Sequence, residues 1–199
     1  MMQPECMDNR DRRSQKNYRS LLQALSRPGR IVRLEALDGM PPFGAAMAVA
    51  ECLLDSEVSF CVIGNGGAQT LQASIARATG ARTESLGAAD FVFVSGISSQ
   101  GGVRVAKRGR AEVPEEGATL VYCMDSQPAS ASHRFRVRLT GPGIAAQRGI
   151  VSEMRGIPVE EFHELVIVNA EYPLGVDVFF VRPSGDLMGL PRSTRIQVR

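Results

Sequence analysis

Four short, nearly unbroken apolar runs limit what this chain can fold into: Val58 to Ile63, Phe91 to Val94, Thr119 to Met124 and Val176 to Val181. Each is bounded by glycine, proline or polar turn residues and is too short for a buried helix. Such runs read as strands covered on both faces. Something amphipathic must cover them, and several segments carry helical periodicity. From about Asp11, the residues Tyr18, Leu21, Leu22 and Leu25 recur at i, i+3, i+4 and i+7, predicting one apolar helix face that ends at Pro28-Gly29. Phe43 to Leu54, after Pro41-Pro42, is apolar on almost all sides and predicts a buried helix. Ala68, Leu71, Ile75 and Ala78 carry another as far as Gly80. Pro158, followed by Glu160 and Glu161, opens a last helix to about Ala170, which Pro173 breaks.

The remaining sheet signals are weaker. Ile31, Val32 and Leu34 offer a short strand, and Val103 and Val105 alternate with Arg104 and Ala106. Phe135, Val137 and Leu139 point one way while Arg134, Arg136 and Arg138 point the other, a period of two that predicts a half-buried strand ending at Gly141-Pro142-Gly143. Leu187 to Val198 reads as a strand joined to Val176–Val181 through Pro183-Ser184-Gly185-Asp186, an antiparallel hairpin. Early alternation of helices and strands followed by hairpins predicts an α/β fold with a mixed sheet covered by helices. Residues 1–9 read as a flexible N-terminus and 10–199 as a single α/β domain.

Composition narrows the function classes. With 44% hydrophobic and 22% charged residues, the chain is expected to be ordered beyond its first residues. A formal charge of +2 does not argue for nucleic acid, and with 6% aromatics and no Trp there is no stacking platform for single strands. Lys16 and Lys107 are the only lysines; the rest of the 23 basic residues are arginines. Coding bias and anion recognition both account for that, since guanidinium binds carboxylate and phosphate through paired donors. Cys6, Cys52, Cys61 and Cys123 form no C-x-x-C pair and suit a reduced chain. The polar stretch Met1 to Arg19 has no apolar signal region, and Ala45 to Leu54 is too short to cross a bilayer, so a cytoplasmic chain without membrane contact is expected. His133 and His163 stand in no metal-ligand spacing and no G-x-S-x-G elbow occurs, so neither a metal nor a histidine-based nucleophile is expected.

Three places carry site chemistry. Gly64-Asn65-Gly66-Gly67 lies between a strand and a helix, where Gly64, Gly66 and Gly67 can cradle phosphate on free N–H groups, or simply turn the chain; it matches neither G-x-G-x-x-G nor a P-loop. Asp177 shares a strand face with Phe179 and Val181, and a lone buried carboxylate needs a partner. Arg192, on the neighbouring strand of the hairpin, is the nearest candidate, either as a structural pair or as the wall of a ligand pocket. The strip Arg104, Lys107, Arg108, Arg110 and the strip Arg134, Arg136, Arg138 are placed near each other in one sheet, as a solvated face or a surface for anions or an acidic partner.

Several blocks resemble the PhnH family of phosphonate-metabolism proteins. Tyr172-Pro173-Leu174-Gly175-Val176-Asp177-Val178 and Leu190-Pro191-Arg192-Ser193-Thr194 are similar to its closing pattern, and Tyr18-Arg19 through Ser26-Arg27-Pro28-Gly29 to its opening. Between them, Pro114 to Leu120 and Leu139 to Ile144 stand in family order; Tyr172 replaces the usual Phe and Ser193 the usual Thr. The resemblance implies a three-layer α/β/α fold like the large domain of pyridoxal-phosphate-dependent transferases, without that cofactor. The residues point the same way, because an aldimine needs a lysine and neither Lys16 nor Lys107 follows a strand-turn that aims it at a pocket. The resemblance further implies a core assembly with PhnG, PhnI and PhnJ that builds a ribose 1-phosphonate 5-triphosphate from ATP and methylphosphonate. Cleavage by an iron–sulfur cluster and S-adenosylmethionine then falls to a partner subunit, since no cysteine cluster here can ligate such a cluster. The expectation is an accessory, homodimeric subunit of the carbon–phosphorus lyase core complex. The rival is a stand-alone phosphoanion- or nucleotide-binding α/β enzyme built on Gly64–Gly67 or on Asp177 and Arg192.

Overall fold

The computed structural model describes residues 9–40, 42–124, 134–145 and 149–199. Along the chain run α1 (Asn9–Ser26), β1 (Ile31–Arg33), α2 (Gly44–Leu53), β2 (Ser59–Gly64), α3 (Ala68–Thr79), β3 (Arg82–Thr83), β4 (Phe91–Ser95) and α4 (Gly102–Val105). A 3-10 turn at Pro114–Glu116 leads to β5 (Thr119–Cys123), β6 (Arg134–Thr140), β7 (Ile150–Arg155), α5 (Val159–Val168), β8 (Asp177–Val181), β9 (Asp186–Leu190) and β10 (Arg195–Val198).

Seven strands form the principal sheet in the order β1-β9-β8-β5-β4-β2-β3. From β3 to β8 the pairs are parallel, while β9 is antiparallel to both β8 and β1. The four apolar runs are its central strands, and their alternate residues feed two cores. Phe60, Phe93, Val121 and Phe179 face α1, α2 and α3. Val92, Leu120, Tyr122, Val178 and Phe180 face α5 and a second sheet of order β10-β6-β7. Full burial of such a side chain contributes about 1.5–3 kcal/mol, so these strands anchor the fold. Phe162 of α5 joins the layers, stacked on Phe180 at 5.5 Å and edge-on to Phe135 of β6 at 5.1 Å.

The α/β class, the mixed sheet and the β8–β9 hairpin agree with the expectation from sequence. Several expectations require correction. The strand across Val103 and Val105 is the short helix α4: two valines are too few to distinguish periods, and Gly101, with φ 85°, turns the chain into a helical turn. Leu187–Val198 is two strands in different sheets. Pro191 has no N–H to continue the ladder, and the Thr194 N–H closes a turn on its carbonyl at 2.8 Å. The second cover of the sheet is therefore α5 together with three strands, not helices alone. On α1 the buried stripe is Asn17, Leu21 and Ala24, whereas Tyr18 and Leu22 face outward. Ala24 explains the rotation: a Cβ added at Gly189 of β9 would lie 2.8 Å from its backbone carbon, so small residues bring helix and sheet into direct contact. Residues 1–8 and His133 lie outside the described residues.

Candidate functional site

Asp177 and Arg192 are brought together at the foot of β8. The Asp177 Oδ2 accepts from Arg192 Nη2 at 2.6 Å and Nε at 3.1 Å, and its Oδ1 accepts from the Arg192 backbone N–H at 2.7 Å. Arg192 sits in the turn after β9, not on a strand, because Pro191 has ended the ladder. Its Nη1 also donates to the Pro114 carbonyl at 2.6 Å and its Nη2 to the Gly117 carbonyl at 3.2 Å. A Cβ at Gly117 would stand 2.4 Å from Nη1, so glycine there is what admits the guanidinium. The planar fork thus ties its own turn to the foot of β8 and to the 3-10 turn before β5, with its donors on protein oxygens.

Gly64, Gly66 and Gly67 lie at the C-terminal ends of the parallel strands. Here the chain steps from β2 outward to β3 and then back across to β4, and open α/β sheets bind ligands at such reversals. All three have positive φ (100°, 69° and 85°). Gly64 is further required by the Ser95 carbonyl, 2.5 Å from where its Cβ would be, and Ser95 Oγ donates to the Gly66 carbonyl at 2.9 Å. The turn stands at this reversal, and α3 starts from it.

Next to this turn lies a buried cluster that the sequence did not reveal. Glu161 of α5 is only 4% exposed. Its carboxylate accepts from Ser98 Oγ at 2.9 Å, from the Ser99 N–H at 2.9 Å, from Ser99 Oγ at 2.8 Å and from the Tyr122 hydroxyl. Burial, and then the adjacent carboxylate, push the Tyr122 hydroxyl well above its ordinary pKa, so it is a fixed donor. The acidic first turn of α5 was legible as a dipole match. That Glu161 turns inward to hold the Ser98–Ser99 loop was not, because serine pairs in loops give no such signal.

The two arginine-rich strips do not share a sheet. Arg104 lies on α4 and pairs with Glu164, Lys107 with Asp90 at 2.5 Å and Arg110 with Glu116 at 3.0 Å, so most of the first strip is spent locally. Arg134, Arg136 and Arg138 occupy β6, the middle strand of the second sheet. Arg134 shares Glu153 of β7 with Arg155, at 3.2 and 2.9 Å. The Arg155 hydrogen bond, and then the charges of Arg155, Arg134 and Arg136, hold the Glu153 carboxyl below its ordinary range.

Between the sheets opens a cavity of about 510 Å³, walled by Met154, Phe162, Phe180 and Met188, with Arg155 and Arg182 among its polar lining. Met124, immediately after β5, also lines it. Among the described residues no three His, Cys, Asp or Glu side chains converge as metal ligands. Of the two lysines, Lys107 is tied to Asp90 and Lys16 pairs with Glu35 on the surface. Among the described residues no helix is long and apolar enough to cross a membrane.

A family model described as bacterial phosphonate metabolism protein (PhnH) matches residues 6–197. The chain is 34% identical over 188 residues to a Stutzerimonas stutzeri protein named putative C-P lyase subunit protein HtxG, covering 94% of this chain and 87% of that one. It is 30% identical over 188 residues to a Rhizobium meliloti (strain 1021) protein named alpha-D-ribose 1-methylphosphonate 5-triphosphate synthase subunit PhnH, covering 92% of this chain and 90% of that one.

Proposed function

Because the chain belongs to the PhnH family of bacterial phosphonate metabolism proteins, we propose that it is an accessory subunit of a carbon–phosphorus lyase assembly. In that role it supports formation of α-D-ribose 1-methylphosphonate 5-triphosphate and does not catalyse the step alone. The observation that carries this is the family match over residues 6–197. The side-chain chemistry supports the accessory reading. Arg192 and Glu161, the groups with the most elaborate polar surroundings, spend their hydrogen bonds within the chain. As a fold, the parallel strands with helices on one face support a likeness to the large domain of pyridoxal-phosphate-dependent transferases, and the engaged state of Lys107 supports the view that the chain uses no such cofactor.

The partners in this reading are a second copy of the chain and the subunits PhnG, PhnI and PhnJ, in the cytoplasm. The iron–sulfur and S-adenosylmethionine chemistry resides in a partner, and this chain carries no metal. Reconstitution tests it. A PhnG–PhnI–PhnJ preparation should convert ATP and methylphosphonate measurably faster once this chain is added, and the chain alone should give no product. Robust turnover by the purified chain, or no effect on the other subunits, would overturn the proposal.

A further inference from the structure

The outward side of the second sheet concentrates charge of one sign. Register places Arg134 opposite Arg155 and Arg136 opposite Glu153 on β7. On β10, Gln197 stands opposite Arg138 and Arg195 opposite Thr140. Arg199 follows, its N–H donated to the Arg136 carbonyl at 2.9 Å. Residues opposed across strands share a face. Hence Arg134, Arg136, Arg138, Arg155, Arg195 and Arg199 line one side of three strands, while Val137, Leu139 and Met154 pack inward. Among the described residues Glu153 is the sole acid of that face, and two arginines already hold it. Arg136, Arg138, Arg195 and Arg199 have no carboxylate partner among the described residues. Like charges so close destabilise an isolated sheet. In a chain of formal charge +2, this local excess is a cost to the fold that an external anion would relieve.

We infer that this face docks an acidic surface of a different protein subunit, whose aspartates and glutamates pair with Arg136, Arg138, Arg195 and Arg199 around the exposed Val151. The inference rests on the reading of the chain as a subunit. A sheet face offering arginine without a single lysine, with an apolar residue among the charges, has the composition of a protein interface. Nucleic acid fits less well, because Phe135, the aromatic residue of these strands, packs inward on Phe162 and leaves no ring on the charged face to stack a base. A second copy of the same face is disfavoured, since two-fold symmetry sets like charge against like.

The test is co-purification of the tagged chain with co-expressed PhnG, PhnI and PhnJ, comparing Arg136→Glu/Arg195→Glu with a control pair on the helical layer, Arg12→Glu/Arg77→Glu. Wild type and control should retain the partners, with retention falling as salt rises. The charge-reversed chain should lose them by about tenfold or more. The neutral pair Arg136→Gln/Arg195→Gln, which removes charge without adding repulsion, should show a smaller loss, and circular dichroism should report all three variants folded. Undiminished retention by the reversed chain would overturn the docking face and leave the subunit reading standing. Failure of the wild-type chain to co-purify would overturn both. If the reversal abolishes salt-steep binding of a DNA duplex, or changes the oligomeric state of the isolated chain, the occupant is a nucleic acid or a second copy and the inference is refuted.

Discussion

Replacing Arg192 by alanine isolates what the guanidinium does. The substitution removes two bonds to Asp177 Oδ2 and one each to the carbonyls of Pro114 and Gly117. Breaking a buried ion pair by deleting one partner costs about 3–5 kcal/mol. Two features lower that figure here. The side chains retain 13% and 21% exposure, so water reaches the stranded carboxylate, and Asp177 keeps the backbone N–H of residue 192 at 2.7 Å. The expected loss is about 3 kcal/mol, which at an m-value near 2–3 kcal/mol/M lowers the urea midpoint by roughly 1–1.5 M. Arg192→Lys keeps the charge but cannot span carboxylate and two carbonyls, so it should lose about 2 kcal/mol. A double-mutant cycle with Asp177→Asn should give a coupling of about 1–3 kcal/mol. A loss below about 0.5 kcal/mol for Arg192→Ala, or no coupling to Asp177, would refute the structural role and return Arg192 to the class of ligand-binding residues.

Three further outcomes are expected. Glu161→Ala leaves the Ser98, Ser99 and Tyr122 donors unpaired and should cost about 3 kcal/mol, with faster hydrogen exchange at the Ser99 amide, whereas Tyr122→Phe, which removes one donor, should cost about 1 kcal/mol. Burial raises the Asp90 carboxyl, but hydrogen bonds from Lys107 and Ser59 outweigh it and leave the pKa below the ordinary 3.8. That contribution is therefore fully present above 3.8 and lost as pH falls through the folded-state value, so acid unfolding of Asp90→Asn followed by circular dichroism should show a flatter limb below 3.8 than wild type. Gly117→Ala puts a methyl group 2.4 Å from both Arg192 Nη1 and the Gly175 carbonyl and should lower stability by about 2 kcal/mol in urea titration; a neutral result would mean that the clamp yields more than its geometry implies.

What the sequence revealed depended on how few arrangements each segment allows. The strands β2, β4, β5 and β8 were legible because residues apolar on both faces can only sit in the middle of a covered sheet. A carboxylate inside such a run demanded a cation, and the hairpin expected after it brought Arg192 alongside as the candidate. The carbonyls of Pro114 and Gly117 were invisible, since nothing local marks an acceptor so far from its donor in sequence. Leu22 and Tyr18 misled because helical spacing does not say which face a small residue such as Ala24 will press against a glycine. The alternation in β6 was clear, but the same pattern serves any half-covered strand, so membership of a separate sheet did not follow. Glu161 has the same side chain whether it faces water or accepts four protein donors; the difference is made by a loop brought over from β4.

The strand order also bears on how the protein is made. Ile31 of β1 pairs with Met188 of β9. A nascent chain leaving the ribosome therefore carries α1 and β1 long before the strand that seats them has been translated. Leu21 and Ala24 find their full packing only when β9 arrives, more than 150 residues later in the chain, so consolidation of α1 waits for that strand. A truncation ahead of Asp186 would leave the first helix only α2 to rest on, and α1, β1 and β9 are in this sense a single structural unit.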